Sequence, residues 1–211
     1  MKHFVCSILG ALSLVSFAAS AADNAATALQ STENTNAMKT NRRTLVAYFS
    51  HTGENYAVGV IEKGNTAVIA EMIAEATGGT LFEIVPVKAY PATYNECIAV
   101  AKAEKESGAR PAVQGDVAVE DYDTIFIGYP NWWGDMPMAV YTFIEKHGWQ
   151  GKTVIPFCTH EGSGLSSTER RLADACKGAT IAKGLAVKGT TAQNKRDQAR
   201  SEVRAWLAKV F

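Results

Sequence analysis

The sequence predicts an α/β fold in which helices cover both faces of a parallel β-sheet. Five short apolar runs are rich in β-branched and aromatic residues, as expected for strands that are buried on both faces. Segments with helical periodicity separate these runs. Strands and helices therefore alternate along the chain, an order that favours parallel strands joined by crossover helices.

The predicted elements follow one another in a regular order. The strands are 44–49, 80–85, 123–129, 153–158 and 180–187. The helices are 66–77, 92–107, 137–146, a segment that ends near residue 176 after the capping-box sequence at 166–169, and 196–210. Five strands connected in this way most simply adopt the sheet order 2-1-3-4-5, with ligands near the carboxyl ends of strands 1 and 3.

The first 41 residues are expected to lie outside the folded domain. Residues 1–21 combine a basic start, an apolar run and small residues at 19–21, which is typical of a secretory signal peptide; an N-terminal anchor helix is the alternative. Residues 22–41 hold few large apolar side chains and predict a flexible leader. The sequence thus predicts one domain over residues 42–211, without a membrane span in the mature chain, exported to the periplasm or the extracellular space.

The charge balance and the cysteines exclude several classes of partner. The chain has 21 basic and 21 acidic residues, so neither a nucleic-acid surface nor a strongly acidic docking face is expected. Cys97, Cys158 and Cys176 lie in the predicted domain, where at most one disulfide could join them. The sequence contains no Cys/His spacing typical of a metal site, and buried thiols are the simpler interpretation.

Three unusual loops follow strands 1, 3 and 4. The first contains Ser50, Thr52 and Gly53, and the next helix starts only at Asn65 or Thr66. Small hydroxyls, a glycine and a helix N-terminus together suit a phosphate group. The alternative is an ordinary polar turn followed by an ordinary helix start.

The second loop places two adjacent tryptophans between proline and glycine. Its candidate ligand-binding residues are Pro130, Asn131, Trp132, Trp133 and Gly134. Exposed indole surface is unfavourable unless something flat covers it, so the pattern predicts a site for a flat ligand. The alternative is that both indoles pack as a cap on the core.

The third loop is rich in glycine. Its candidate residues are Thr159, His160, Glu161, Gly162, Ser163 and Gly164. Two glycines around a serine allow the backbone to approach a ligand closely. The order of residues around Ser163 departs from the G-x-S-x-G pattern of hydrolase nucleophiles, and a structural role is favoured over acid–base chemistry for His160.

Together the three loops resemble those of the flavodoxin family, and more closely its flavodoxin-like, NAD(P)H:quinone-oxidoreductase-type branch. The first loop of that family has a hydroxyl-x-Thr-Gly-x-Asn/Thr pattern, which Ser50, Thr52, Gly53 and Asn55 match. Its second loop has a Tyr-Pro-x-Trp-Trp-Gly-x-Met-Pro pattern, matched by residues 129–137, and its third resembles residues 159–164. The resemblance covers residues 44–211 and implies a three-layer flavodoxin-like sandwich.

What the resemblance implies is a non-covalently bound FMN. The candidate residues of the first loop and of the next helix start would surround its phosphate, and the isoalloxazine ring would lie between the second and third loops. Trp132 or Trp133 would stack on the ring or flank it, and Tyr90 would approach from the edge of strand 2. Because the flavin carries the chemistry, the resemblance implies no catalytic side chain.

Three functions stay open at the level of sequence. The favoured one is an exported FMN-binding redox protein that reduces a small quinone-like acceptor, with NAD(P)H as the implied donor. The others are a non-catalytic flavin electron carrier with a protein partner, and a flavodoxin fold that has lost FMN. The insertion before Asn65 and the neutral charge weaken the carrier interpretation. Reductases of this fold are often dimers, so the resemblance is compatible with a homodimer.

Overall fold

The computed structural model describes residues 43–211, and the predicted signal peptide and leader lie outside these residues. The strands are β1 (Thr44–Tyr48), β2 (Gly53–Asn55), β3 (Gly59–Ile61), β4 (Thr80–Glu83), β5 (Val85–Pro86), β6 (Val113–Gln114), β7 (Thr124–Pro130), β8 (Thr153–His160), β9 (Thr180–Ile181) and β10 (Leu185–Lys188). The α-helices are α1 (Asn65–Thr77), α2 (Tyr94–Ser107), α3 (Met138–Glu145), α4 (Thr168–Ala175), α5 (Gly189–Asn194) and α6 (Arg196–Val210). No helix within residues 43–211 is long and apolar enough to cross a membrane.

The main sheet is parallel and has the order β4-β1-β7-β8-β10, with β9 also paired to β8. Since β9 and β10 follow each other along the same edge of β8, they form one interrupted fifth strand. The predicted α/β class and the predicted order 2-1-3-4-5 are therefore confirmed. The antiparallel hairpin β2–β3, the antiparallel pair β5–β6 and the short helix α5 are additions that the sequence did not predict.

The sheet separates two apolar cores. Alternate residues of β1 point to opposite faces, so that Leu45 and Ala47 join one core while Val46 and Tyr48 join the other. Helices α3 and α4 cover the first core, and α1 and α6 cover the second. This burial on both faces explains why the strands appear in the sequence as continuous apolar runs.

The fifth strand breaks where Pro156 of β8 faces it. Val154 pairs with Ile181 and Phe157 with Leu185, so three residues of the fifth strand oppose two of β8. The carbonyl of Val154 accepts the N–H of Ala182, which shows that even-numbered residues of β8 face this strand. Pro156 has no N–H to donate, and the ladder bulges there. The continuous strand predicted over 180–187 is therefore wrong in its middle.

The predicted capping box at residues 166–169 does not form. Helix α4 begins at Thr168, and Ser167 makes no side-chain cap. The carboxylate of Glu169 instead accepts the N–H of Gly184 at 2.9 Å and lies 3.4 Å from the ammonium of Lys183. Glu169 thus holds the break in the fifth strand, a tertiary role that a local pattern cannot show.

The three cysteines of the domain are free and buried, as expected. Burial raises the pKa of Cys97 to about 11 and the pKa values of Cys158 and Cys176 to about 12. All three are therefore protonated, poorly nucleophilic thiols at neutral pH.

Gly128→Ala is expected to destabilise the domain, because a Cβ at this position would lie 2.1 Å from the ring of Phe157. The ring is fully buried and cannot move aside freely, so overpacking should lower the free energy of unfolding by about 1–3 kcal/mol. Gly148→Ala is the matched control, because a Cβ there meets nothing within 4 Å. Urea denaturation measures both variants, and equal stability would contradict this packing.

Candidate functional site

A cleft of about 270 Å³ opens at the carboxyl edge of the sheet. The loops after β1, β7 and β8 form its inner wall, and the hairpin β2–β3 and helix α2 form its outer wall. Its lining residues are His51, Glu54, Asn55, Tyr56, Asn65, Tyr94, Cys97, Ile98, Pro130, Asn131, Trp132, Trp133, Thr159, His160 and Glu161. The cleft therefore lies at the edge where parallel sheets of this topology bind ligands.

The structure brings half of the predicted site residues to the cleft surface. Those that line it are Asn65, Pro130, Asn131, Trp132, Trp133, Thr159, His160 and Glu161. Those that lie in the same loops without lining it are Ser50, Thr52, Gly53, Thr66, Gly134, Gly162, Ser163 and Gly164. The outer wall, made by Glu54, Tyr56, Tyr94, Cys97 and Ile98, was not predicted from the sequence, and neither was His51. Asn55 entered the prediction only through the family resemblance.

Ser50 joins the loop after β1 to the first turn of α1, at the base of the inserted hairpin β2–β3. Its hydroxyl oxygen accepts the backbone N–H of Ala67, in the first turn of α1, at 3.1 Å. The residue at the N-cap of α1 is Gly64, which has no side chain to cap the helix. A Cβ on Gly64 would lie 2.2 Å from the Ser50 hydroxyl oxygen, so only glycine allows this approach. Ser50 thus replaces the missing cap from 17 residues upstream.

The start of α1 faces the cleft with its own polar groups. The N–H groups of Asn65 and Thr66 belong to the first turn and have no partner inside the helix. The hydroxyl of Thr66 is buried and lies 2.8 Å from the hydroxyl of Thr159, so it ties α1 to β8 instead of facing solvent. What α1 can offer an anion at this end is therefore its backbone N–H groups and its dipole.

Helix α5 completes this corner of the site. The side-chain amide of Gln193 donates to the side-chain oxygen of Asn65 at 2.9 Å. Gly189 lies against the Asn65 amide so closely that a Cβ would come within 2.3 Å of its nitrogen. The carboxylate of Glu161 accepts the backbone N–H of Thr190 at 2.6 Å and its hydroxyl at 3.2 Å. These contacts join the start of α1 to the third loop through α5.

The two tryptophans lie in a tight turn of the second loop. The N–H and C=O groups of Trp132 and Asp135 bond to each other at 2.9 and 3.0 Å, which closes a tight turn. Trp133 and Gly134 have φ of 56° and 74°, as a type I′ turn requires. A tryptophan in this region of φ stores about 1–3 kcal/mol of strain, and such strain concentrates at functional sites.

Trp132 forms the inner wall and Trp133 the rim. The Trp132 ring packs edge-on against Tyr90 at 5.0 Å and His51 at 5.8 Å, between ring centres. Tyr90 therefore supports Trp132 from behind and does not line the cleft. Trp133 is 50% exposed, and its indole N–H donates to the carbonyl of Ile98 in α2 at 3.1 Å. Both predicted tryptophans therefore line the cleft, but Trp132 packs against neighbouring rings whereas Trp133 is exposed at the rim.

His160 has a defined tautomer. Its Nδ1 atom accepts the backbone N–H groups of Gly162 at 2.8 Å and Gly164 at 3.0 Å, so the proton of the neutral ring is on Nε2. Burial lowers the pKa of His160, which favours this neutral form. Asn131 joins the second loop to the third, because its amide nitrogen donates to the carbonyl of Gly164 at 2.7 Å.

Two buried polar atoms of the cleft residues have no hydrogen-bond partner within residues 43–211. They are Nε2 of His51 and the side-chain oxygen of Asn131. Buried polar atoms are almost always paired in folded proteins, and exceptions often mark a ligand site. Within the same residues, no group of His, Cys, Asp or Glu side chains is arranged to hold a metal ion.

The fold and the cleft define an α/β protein whose candidate ligand site lies at the switch point between β1 and β7. A family model described as flavodoxin matches residues 43–209, and the chain belongs to the flavodoxin family. A search of curated proteins finds no match.

Solved structures agree with this assignment. A protein described as a flavoprotein from Bacteroides uniformis ATCC 8492 is 36% identical, with a TM-score of 0.62 over 80% of this chain and 99% of that chain. A similar protein from Bacteroides eggerthii DSM 20697 is 32% identical, with a TM-score of 0.63 over 80% of this chain and 97% of that chain. A flavoprotein in complex with FMN from Lactobacillus acidophilus NCFM is 21% identical and shares the fold, with a TM-score of 0.55 over 74% of this chain and 99% of that chain.

Two variants of His160 should separate the roles of its ring nitrogens. Asn offers an acceptor near the position of Nδ1, whereas Gln offers an amide near the position of Nε2. His160→Gln leaves two backbone N–H groups without their acceptor, so we expect a loss of unfolding free energy about 1 kcal/mol larger than for His160→Asn. Urea denaturation gives both values. A larger loss in the Asn variant would contradict the assignment.

The stability of the domain should fall as the pH drops below the ordinary histidine pKa of 6.5. Burial lowers the folded-state pKa of His160 and of His51, so the unfolded chain binds protons first and stability is lost in that window. Chemical denaturation between pH 7.5 and pH 5.5 measures the slope. His160→Asn should make it shallower, and an unchanged slope would contradict the contribution of this ring.

Proposed function

We propose that this protein is an FMN-dependent oxidoreductase that delivers electrons to a small quinone-like acceptor, with NAD(P)H as donor. One observation carries the proposal. A single cleft combines an open helix N-terminus, a supported indole and two unpartnered polar atoms, on His51 and Asn131. This combination of groups suits a ligand that has a phosphate at one end and a flat ring with polar edges at the other.

The start of α1 would hold the phosphate of FMN. The helix has 13 residues, and its dipole favours a dianion at the N–H groups of Asn65 and Thr66. Thr52 is exposed in the loop after β1 and can add a hydroxyl. Gly53, the first residue of β2, has φ of 87°, and a Cβ there would lie 2.7 Å from the carbonyl oxygen of Ala92, so this position favours glycine.

The second and third loops would hold the ring of FMN. Trp132 offers an indole that Phe49 and Tyr90 fix from behind, at 5.4 and 5.0 Å between ring centres. The Nε2–H of His160 supplies a donor that stays neutral, since its tautomer is fixed by the backbone. FMN bound there would supply the electron-transfer chemistry, and the chain would orient the ring and exclude water from it.

The outer wall favours a small acceptor over a protein partner. The carboxylate of Glu54 accepts the backbone N–H of Tyr94 at 2.8 Å, so the hairpin β2–β3 is fastened across the start of α2. Tyr56, 63% exposed at the hairpin turn, lies with its ring centre 5.9 Å from that of Tyr94. This wall narrows the approach to the cleft, and the chain has a net charge of zero, whereas flavodoxins that dock to redox partners are usually acidic. We also propose that the chain is exported, on the basis of the signal-peptide pattern in residues 1–21, and that it forms a homodimer, as reductases of this fold often do.

Titration with FMN and with riboflavin tests this proposal. We expect tight FMN binding with quenched flavin fluorescence, and Thr52→Ala should weaken FMN about tenfold because it removes a donor to a charged group. Riboflavin has no phosphate, so its affinity should not change in that variant. Trp132→Leu should weaken both ligands, and Ser107→Ala, on the exposed end of α2, is the control.

A protein that does not bind FMN at micromolar concentration would contradict both the reductase and the carrier, and would favour a fold that has lost its flavin. If FMN binds, steady-state oxidation of NAD(P)H with a quinone acceptor separates the remaining two. Turnover is the result expected for the reductase. Binding without turnover would favour the carrier.

A further inference from the structure

A second groove, of about 500 Å³, lies beside the cleft at the carboxyl end of β10. Residues of β10, α5 and α6 form its walls, and His160 lines both the groove and the cleft. Thr190 lines the groove and Glu161 lines the cleft. The hydrogen bonds between these two residues, together with His160, separate the groove from the cleft. One elongated molecule could therefore occupy both spaces by passing over His160.

The groove is cationic and polar. Lys188 and Lys195 line it, and neither takes part in the salt bridges formed within residues 43–211. Thr191 adds a hydroxyl and Asn194 an amide, whereas the hydroxyl of Thr190 already donates to Glu161. The one carboxylate of the lining is that of Glu202, which already accepts the side-chain amide of Gln198 at 2.9 Å. Unpaired ammonium groups next to hydroxyl and amide donors suit phosphate oxygens.

We propose that this groove binds the phosphate groups of a nucleotide that donates electrons to the cleft. The groove has the size of an ordinary ligand pocket, roughly 300–1,000 Å³. It is separate from the start of α1, where the FMN phosphate is assigned, so the two phosphate sites do not compete. The role of the nucleotide as electron donor rests on the proposed function, whereas phosphate binding in the groove does not.

Calorimetric titration with ADP, in the absence of FMN, tests the groove by itself. We expect Lys188→Ala combined with Lys195→Ala to weaken ADP at least tenfold, since two charge-assisted contacts are lost. Glu202→Gln should tighten ADP severalfold because it removes a like charge. Lys209→Ala, at the far end of α6, removes the same charge as a single lysine variant and should have no effect.

Each other outcome overturns the proposal. ADP that fails to bind at millimolar concentration, or that binds the double lysine variant unchanged, excludes a phosphate site. Inorganic phosphate that binds as tightly as ADP would indicate a simple anion site and overturn the nucleotide assignment.

The FMN-loaded protein gives a second test. The double lysine variant should raise the KM for NAD(P)H at least tenfold, and it should leave unchanged the rate with N-benzyl-dihydronicotinamide, a donor without phosphates. Equal losses with both donors would contradict the groove as a phosphate site. The two proposals fail separately, because ADP binding without FMN binding removes the proposed function alone, and FMN binding without ADP binding removes the groove alone.

Discussion

The hydrogen bond between the hydroxyl of Ser50 and the N–H of Ala67 is the contact on which the rest of the site depends. An insertion separates the loop after β1 from helix α1, and a helix start displaced by that length would leave the cleft. The bond, together with the missing side chain of Gly64, brings the two ends of the insertion back to one point. The inserted residues can then fold outward as the hairpin β2–β3, while the first turn of α1 stays at the end of β1.

Direct contacts fix the rest of the site before any ligand binds. The hydroxyls of Thr66 and Thr159 join α1 to β8, and the amide of Asn131 joins the second loop to the third. His160 orders the glycine-rich loop through its Nδ1 atom. Such preorganisation reduces the entropy that a ligand must lose on binding. Two buried polar atoms that have no partner within residues 43–211, on His51 and Asn131, would then be the places where a ligand adds its own hydrogen bonds.

The sequence predicts the fold and the inner wall well because both follow from local pattern and topology. Buried strands carry continuous apolar runs, and loops that follow adjacent parallel strands must meet at one edge. The sequence does not predict the outer wall, because Tyr94 and Ile98 reach the cleft only through tertiary contacts of α2. Tyr94 bonds to Glu54 of the hairpin, and Ile98 bonds to Trp133. The failed capping box has a similar cause. Its glutamate, Glu169, bonds to a strand break 15 residues away that Pro156 creates.

We propose that the inserted hairpin leaves an FMN phosphate site intact at the start of α1. A crystal structure of the FMN complex would show where the phosphate binds. We expect phosphate oxygens within hydrogen-bonding distance of the N–H groups of Asn65 and Thr66, a flavin ring against Trp132, and no FMN in the groove of Lys188 and Lys195. A phosphate bound by those two lysines, with the first turn of α1 free, would contradict it.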